Sequence, residues 1–192
     1  MIRAVVFDCF GVLVGQGFDA TWRRAGGDPD HDRVFIQDML GATNVGHITI
    51  DHMTAMACQK LGITQTEWFD AIAQTEQPDQ QLLDFIATEL KPHYGVAVLS
   101  NANVGTLERV LTDSQRSVFD ALVVSAEVGC VKPQPEIYQL VAERLGVAPE
   151  ECVFTDDSQA YCDGAAAVGM KTVLFRDREQ FQRDLAVQLN HS

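Results

Sequence analysis

The sequence predicts an α/β protein: a doubly wound parallel sheet with a small inserted α-helical cap. Three observations predict it. Five short apolar runs, rich in valine, are bounded by turn residues or acids, as strands covered on both faces tend to be. Segments with helical spacing separate these runs, and such alternation favours a parallel sheet. The interval between the first two runs is too long for one crossover and carries helical patterns of its own.

The first strand is expected over Ile2 to Phe7 and ends at Asp8. The long interval then gives four helices, Phe18 to Ala25, Asp32 to Leu40, Ile50 to Leu61 and Thr64 to Thr75. Gly26-Gly27-Asp28-Pro29, Gly41 to Gly46 and Gly62 separate them, since glycine and proline punctuate local structure. Residues 15–79 are therefore expected to form the cap, and residues 1–14 with 80–192 the core. Gln81 to Leu90 returns to that core, with Leu82, Leu83, Phe85, Ile86 and Leu90 at helical spacing. Strands follow at Gly95 to Leu99, Ala121 to Ser125, Cys152 to Thr155 and Lys171 to Phe175. The helices between and after them are Val104 to Leu111, Glu136 to Leu145 (entered through Pro133 and Pro135), Ala160 to Val168, and Arg178 to Leu189. The whole reads as a Rossmann-like core without internal repeats.

Composition narrows the function. A net charge of −13 over 192 residues repels nucleic acid and anionic lipid, so a small diffusible ligand is expected. An anionic ligand would need local positive charge, for which a divalent cation is the obvious source. Five scattered cysteines, Cys9, Cys58, Cys130, Cys152 and Cys162, form no CxxC pair; they read as reduced thiols of a cytoplasmic protein. The N-terminus lacks a basic region followed by a long apolar run, so no signal peptide is expected. Nor does any apolar stretch approach the roughly 20 residues of a membrane helix.

Four strand ends carry chemistry. Asp8 follows the first strand, where open α/β sheets bind ligands. A carboxylate there can attack phosphorus or carbon, or bind a metal; it is also an ordinary turn residue. The second strand ends in Ser100-Asn101-Ala102-Asn103 and opens a helix, which makes either an anion seat or a plain helix cap. Lys132 stands in Gly129-Cys-Val-Lys132-Pro133-Gln-Pro135; pinned by prolines, it can neutralise Asp8 and a transferred group. Asp156 and Asp157 close the fourth strand. Adjacent acids repel unless a hard cation such as Mg²⁺ joins them, or unless they serve a helix N-terminus. Chance placement of all four is improbable.

The blocks VVFDCFGVLV, VAVLSNAN, GCVKPQPEIY and CVFTDDSQAYCDGAAAVGM resemble the four motifs of the haloacid dehalogenase-like hydrolase superfamily, over essentially the whole chain. Lys-Pro-x-Pro-x-Ile-Tyr with Asp-Asp-Ser is similar to the branch of sugar-phosphate phosphatases and epoxide-hydrolase N-terminal domains. The resemblance implies that Asp8 is nucleophile and metal ligand, and that the Phe10 carbonyl is a second ligand. It implies that Ser100 and the Asn101 amide bind phosphoryl oxygens and that Lys132 bridges nucleophile and phosphate. Asp157, with Asp156, would hold Mg²⁺. The implied substrate is a small phosphorylated metabolite, the implied state a monomer or homodimer, with neither nucleic acid nor membrane as partner.

One position departs from the family. Phe10 stands where an aspartate usually protonates the leaving alcohol and then activates water. Such help is worth about a hundred- to ten-thousand-fold in rate. Three readings follow. The chain is a phosphatase whose leaving group is already acidic, or whose cap supplies the proton, with His47 and Asp51 as candidates. Or it is a binding protein without turnover. Or it is a metal-independent 2-haloacid dehalogenase, with Arg23, Arg24 or Trp22 as halide cradle; the two adjacent acids oppose this. Trp22, Phe35, Trp68 and Phe69 are expected to pack the cap.

Overall fold

The computed structural model describes residues 1–15 and 17–190. Gln16, expected in the cap, and His191 and Ser192, expected at the end of the core, lie outside the described residues. Five parallel strands form one sheet: β1 (Ala4–Phe7), β2 (Gly95–Ser100), β3 (Ala121–Val124), β4 (Cys152–Asp156) and β5 (Lys171–Leu174). Their spatial order is β3-β2-β1-β4-β5. Val5 of β1 pairs with Val96 on one side and Val153 on the other. The chain lays down β2 and β3 on one flank of β1, then β4 and β5 on the other. The order thus reverses beside β1, and the crevice over the carboxyl ends of β1 and β4 is where such sheets take ligands.

Side-chain alternation explains why the strands are apolar throughout. Val5 and Phe7 join one cluster with Val98, Leu82, Ile86 and Phe181, while Ala4 and Val6 join another with Leu99, Phe154, Tyr138 and Val141. Helices cover both faces. After β1 come α1 (Gly17–Arg24), α2 (Arg33–Asn44), α3 (Ile50–Leu61) and α4 (Gln65–Thr75). The chain continues with α5 (Gln80–Phe85), which widens into a π-helical turn over Ile86–Leu90, then α6 (Thr106–Val110) and α7 (Asp113–Arg116). The last four are α8 (Ser125–Val128), α9 (Pro135–Leu145), α10 (Gln159–Ala167) and α11 (Arg178–Asn190). Among the described residues no helix is long and apolar enough to cross a membrane.

Helices α1–α4 share an apolar cluster of their own, built on Trp22, Ile36, Met39, Ala57, Cys58 and Trp68. The expected packing role holds for both tryptophans, which are fully buried, and for half-buried Phe35; Phe69 instead faces solvent. The two chain crossings into this insertion are stitched together. Gly15 N–H donates to the Gln77 carbonyl (2.9 Å), Asp79 N–H donates to Leu13 (2.8 Å), and Val14 bridges Pro78. Gly15 has φ +49°, and a Cβ there would lie 1.8 Å from the Thr75 carbonyl oxygen. Only glycine lets the two crossings run this close.

Several boundaries shift by one or two residues, and α2 by more; three of the differences have a visible local cause. Helix α2 continues through Gly41 to Asn44, where a turn was expected. Met39 and Thr43 are buried on its inner face, and the Thr43 hydroxyl donates to the Met39 carbonyl (2.6 Å), so packing overrides the modest helix cost of glycine. The helix expected from Val104 starts at Thr106, because Gly105 at φ +77° is its cap. Ser125 opens α8 instead of closing β3.

Candidate active site

Asp8 lies one residue beyond β1, and its N–H continues the ladder to the Thr155 carbonyl of β4 (2.9 Å). The side chain is buried. Its Oδ1 accepts the Cys9 N–H (2.7 Å) and the Lys132 ammonium (2.7 Å). The chain then turns back, with Leu13 and Val14 N–H both donating to the Cys9 carbonyl at 2.8 Å. Gly11 makes this turn at φ +85°, and a Cβ on it would lie 2.2 Å from Asp157 Oδ2. The absence of a side chain at Gly11 is what admits the Asp157 carboxylate to the loop after β1.

Lys132 is almost wholly buried. Its ammonium donates to Asp156 Oδ2 (2.6 Å) as well as to Asp8, and sits 4.8 Å from the centre of the Tyr161 ring. The Lys132–Pro133 peptide is cis. The Asn101 side chain fixes this loop: its Oδ1 accepts the Lys132 N–H (2.8 Å) and its Nδ2 donates to the Lys132 carbonyl (3.0 Å). That clamp was not expected, since the resemblance gave Asn101 a role only through its backbone amide. Asp156 is sealed off from solvent, with Oδ2 on Lys132 and Oδ1 accepting the Ser158 N–H (2.8 Å). Asp157, next along, is exposed and fronts the cavity with Asp8.

Burial, reinforced by Asp156, pushes the Asp8 carboxyl up to about 7 even against the pull of Lys132. Burial opposes the Lys132 charge, yet two carboxylates outweigh it and raise the ammonium to about 12. Lys132 therefore stays charged, and Asp8 is the member whose charge is costly. Asp157, though its side chain reaches solvent, is raised as well, first by the desolvation of its carboxylate against the loop after β1 and then by the charge of Asp156. Carboxylate oxygens of Asp8, Asp156 and Asp157 lie within 4.8 Å of one another. An all-oxygen donor set of this kind fits Mg²⁺. Three carboxylates against one ammonium leave the site negative, so a bound dication would relieve the excess.

Ser100, the last residue of β2, is buried, and its hydroxyl has no hydrogen-bond partner among the described residues. A buried hydroxyl left unpaired is costly and marks a place for an acceptor from outside. Asp8, Phe10, Ser100, Asn101, Lys132 and Asp157 all line one cavity of about 340 Å³. The six candidates from the sequence that front it are thus brought together, with Asp156 immediately behind.

The insertion supplies the far wall through Phe18, Leu40, Asn44, Ile50 and Glu76. Opposite them α6 presents Thr106 and Arg109, and Arg109 pairs with Glu76 at 2.8 Å. Glu76, Arg109 and Tyr161 were missed by sequence reasoning, because nothing local marks an acid or an arginine at a helix end, or a tyrosine in a helix's first turn, as facing a cavity. His47 and Asp51, considered as proton sources, are exposed and do not line it. The halide cradle considered for the dehalogenase reading is also absent from these walls. Trp22 is buried in the insertion and donates Nε1–H to Asp32 (3.0 Å), Arg23 pairs with Asp30 (3.6 Å), and Arg24 lines a different hollow.

The chain is similar to known proteins. A protein named bifunctional epoxide hydrolase 2 from Sus scrofa is 27% identical over 212 residues, covering 96% of this chain and 38% of that protein. Phosphatase MT3486 of Mycobacterium tuberculosis is 35% identical over 95 residues, covering 48% of this chain and 43% of its own. The chain thus spans less than half the length of these relatives. A solved structure described as a predicted HAD-like family hydrolase from Porphyromonas gingivalis superposes with a TM-score of 0.76 at 26% identity, over 98% of each chain. The model of the haloacid dehalogenase-like hydrolases matches residues 2–169, from the strand that ends at Asp8 past the acids that close β4, and the chain belongs to that family.

Proposed function

We propose that the protein is a Mg²⁺-dependent hydrolase of a small phosphate monoester, acting through a covalent aspartyl-phosphate on Asp8. One observation carries this reading. A buried carboxylate, an ammonium 2.7 Å away and an unpartnered buried hydroxyl line one cavity that Asp157 also fronts. The Ser100 hydroxyl and the Asn101 amide receive phosphoryl oxygens in this reading, and Asp8 attacks phosphorus. Lys132 neutralises nucleophile and phosphate together. Asp156 holds Lys132 in place, and Asn101 holds its backbone. Asp8, Asp157 and the Phe10 carbonyl would hold the cation, with Asp156 behind them. When bound, Mg²⁺ supplies the positive charge that lets a phosphate dianion approach three acids. Helices α1–α4 serve as the cap that shuts out water and selects the leaving group. The phosphatase name among the relatives supports the same reading.

The test measures phosphate release from an ester panel, with Mg²⁺ and with chelator. Release that requires metal and falls at least about a thousandfold in Asp8→Asn is expected, since the nucleophile is lost. Halide release from a 2-haloacid without metal would replace this reading by the dehalogenase. Silence in both assays would leave a binding protein.

A further inference from the structure

We infer that the ester is an aryl phosphate, the phosphate of a phenol-type alcohol; this rests on the phosphatase reading above. Two independent features of the cavity converge on that class. The first is the lack of a free carboxylic acid to protonate the leaving group. Phe10 has no exchangeable proton, and the ammonium and the carboxylates on the walls are committed. Lys132 is held by Asp8 and Asp156 at 2.7 and 2.6 Å, and Glu76 is paired with Arg109 at 2.8 Å. Tyr161 faces the Lys132 ammonium with its ring at 4.8 Å, and its hydroxyl accepts from Asn101 (3.4 Å); a phenol's proton is far less acidic than a carboxyl's. Asp8 and Asp157 belong to the attacking and cation-holding side. An alcohol leaving from this cavity thus has no free carboxylic acid to protonate it, which favours one that departs readily as its anion.

The second feature is the character of the remaining wall. Phe10 and Phe18 line the cavity with Leu40 and Ile50. Phe18 is held there by tilted contacts with the Trp22 and Trp68 rings, at 5.8 and 5.6 Å between centroids. Phe10 is anchored on the core cluster behind it. Two fixed aromatic rings with aliphatic neighbours suit a flat apolar group. A phenol, with a pKa of about 10, meets both demands. An alkyl alcohol, nearer the value of about 16 for water, meets neither without an acid.

The chemistry balances without a donor. Asp8 Oδ bonds to phosphorus as the P–O(aryl) bond breaks, and the phenolate leaves with the electron pair, taking its proton from solvent afterwards. Water then adds to phosphorus. The carboxylate of Asp8, itself a good leaving group, departs, and both protons of the water remain on the phosphate released.

The experiment compares phenyl phosphate with hexyl phosphate on the Mg²⁺-loaded wild type. Phenyl phosphate is expected to be at least about a hundredfold better in kcat/KM, the size of the missing acid contribution. Phe10→Asp should narrow that ratio by raising the hexyl rate. Binding gives a readout free of turnover: calorimetry of wild type and Phe18→Ala with phenylphosphonate and methylphosphonate. Phenylphosphonate should bind about tenfold tighter to wild type, and the preference should shrink in Phe18→Ala. Equal turnover of the two esters, or no preference for the phenyl ligand, overturns the aryl assignment while metal-dependent phosphate release leaves the phosphatase reading standing. Absence of phosphate release from every ester overturns both.

Discussion

Among the described residues, Ser100 has the one buried side-chain oxygen without a hydrogen-bond partner. Such a group costs about 1–3 kcal/mol of stability unless something outside the chain pairs with it, and the cavity in front of Ser100 has room for such a partner. Ser100→Ala should therefore fold at least as stably as wild type, with Tm unchanged or higher by a few degrees. The same variant should bind inorganic phosphate about tenfold more weakly, one hydrogen bond's worth. Melting curves and calorimetry read the two effects separately, and a lower Tm with unchanged phosphate binding would overturn the assignment. Asp8, Ser100, Lys132 and the paired acids were legible in the sequence because each follows a run that must be a strand. The Asn101 side-chain clamp and the Glu76–Arg109 pair were not, since both partners in each case are about 30 residues apart and meet only through tertiary folding.

At the scale of elements, β1 to β5 were legible to within two residues at each end, because strands buried on both faces leave uninterrupted apolar runs. Helix α2 was cut short in the sequence reading by a glycine that the fold tolerates. The insertion is pinned by a less visible contact. Asp32 accepts from Lys60 (2.9 Å), from Trp22 Nε1 (3.0 Å) and meets His31 (3.1 Å). These partners, Lys60 first, hold its carboxyl down at about 2. A carboxyl lowered on folding stabilises wherever it is ionised in both states. Its contribution is therefore complete above the ordinary value of 3.8 and is lost as pH falls through about 2. Between those values the Tm of wild type should drop more steeply than that of Asp32→Asn. Parallel curves would mean that Asp32 holds no such partners in solution.

The whole molecule closes its cavity with few ties between insertion and sheet domain. Glu76 on Arg109 is one, Asp79 on Arg178 of α11 (3.0 Å) secures the second crossing, and the Ser125 hydroxyl reaches the Asn44 carbonyl (3.2 Å). Arg109 is half exposed, so its pair is worth under about 1 kcal/mol. Arg109→Ala should leave the global Tm within a few degrees while raising amide exchange around residues 76–79 and 106–110, an effect that high salt should mimic in wild type. Unchanged exchange would assign closure to other contacts. The net charge of −13 concerns solubility and partners more than fold, yet at the site it sharpens the demand for a cation.

Both tryptophans of the chain sit in the insertion, edge to face at 6.1 Å, and Phe18 joins their ring stack to the cavity wall. Indole emission therefore comes from that lobe alone, while the sheet domain contributes only tyrosine. The protein carries its own optical reporter, placed one aromatic ring away from whatever occupies the cavity.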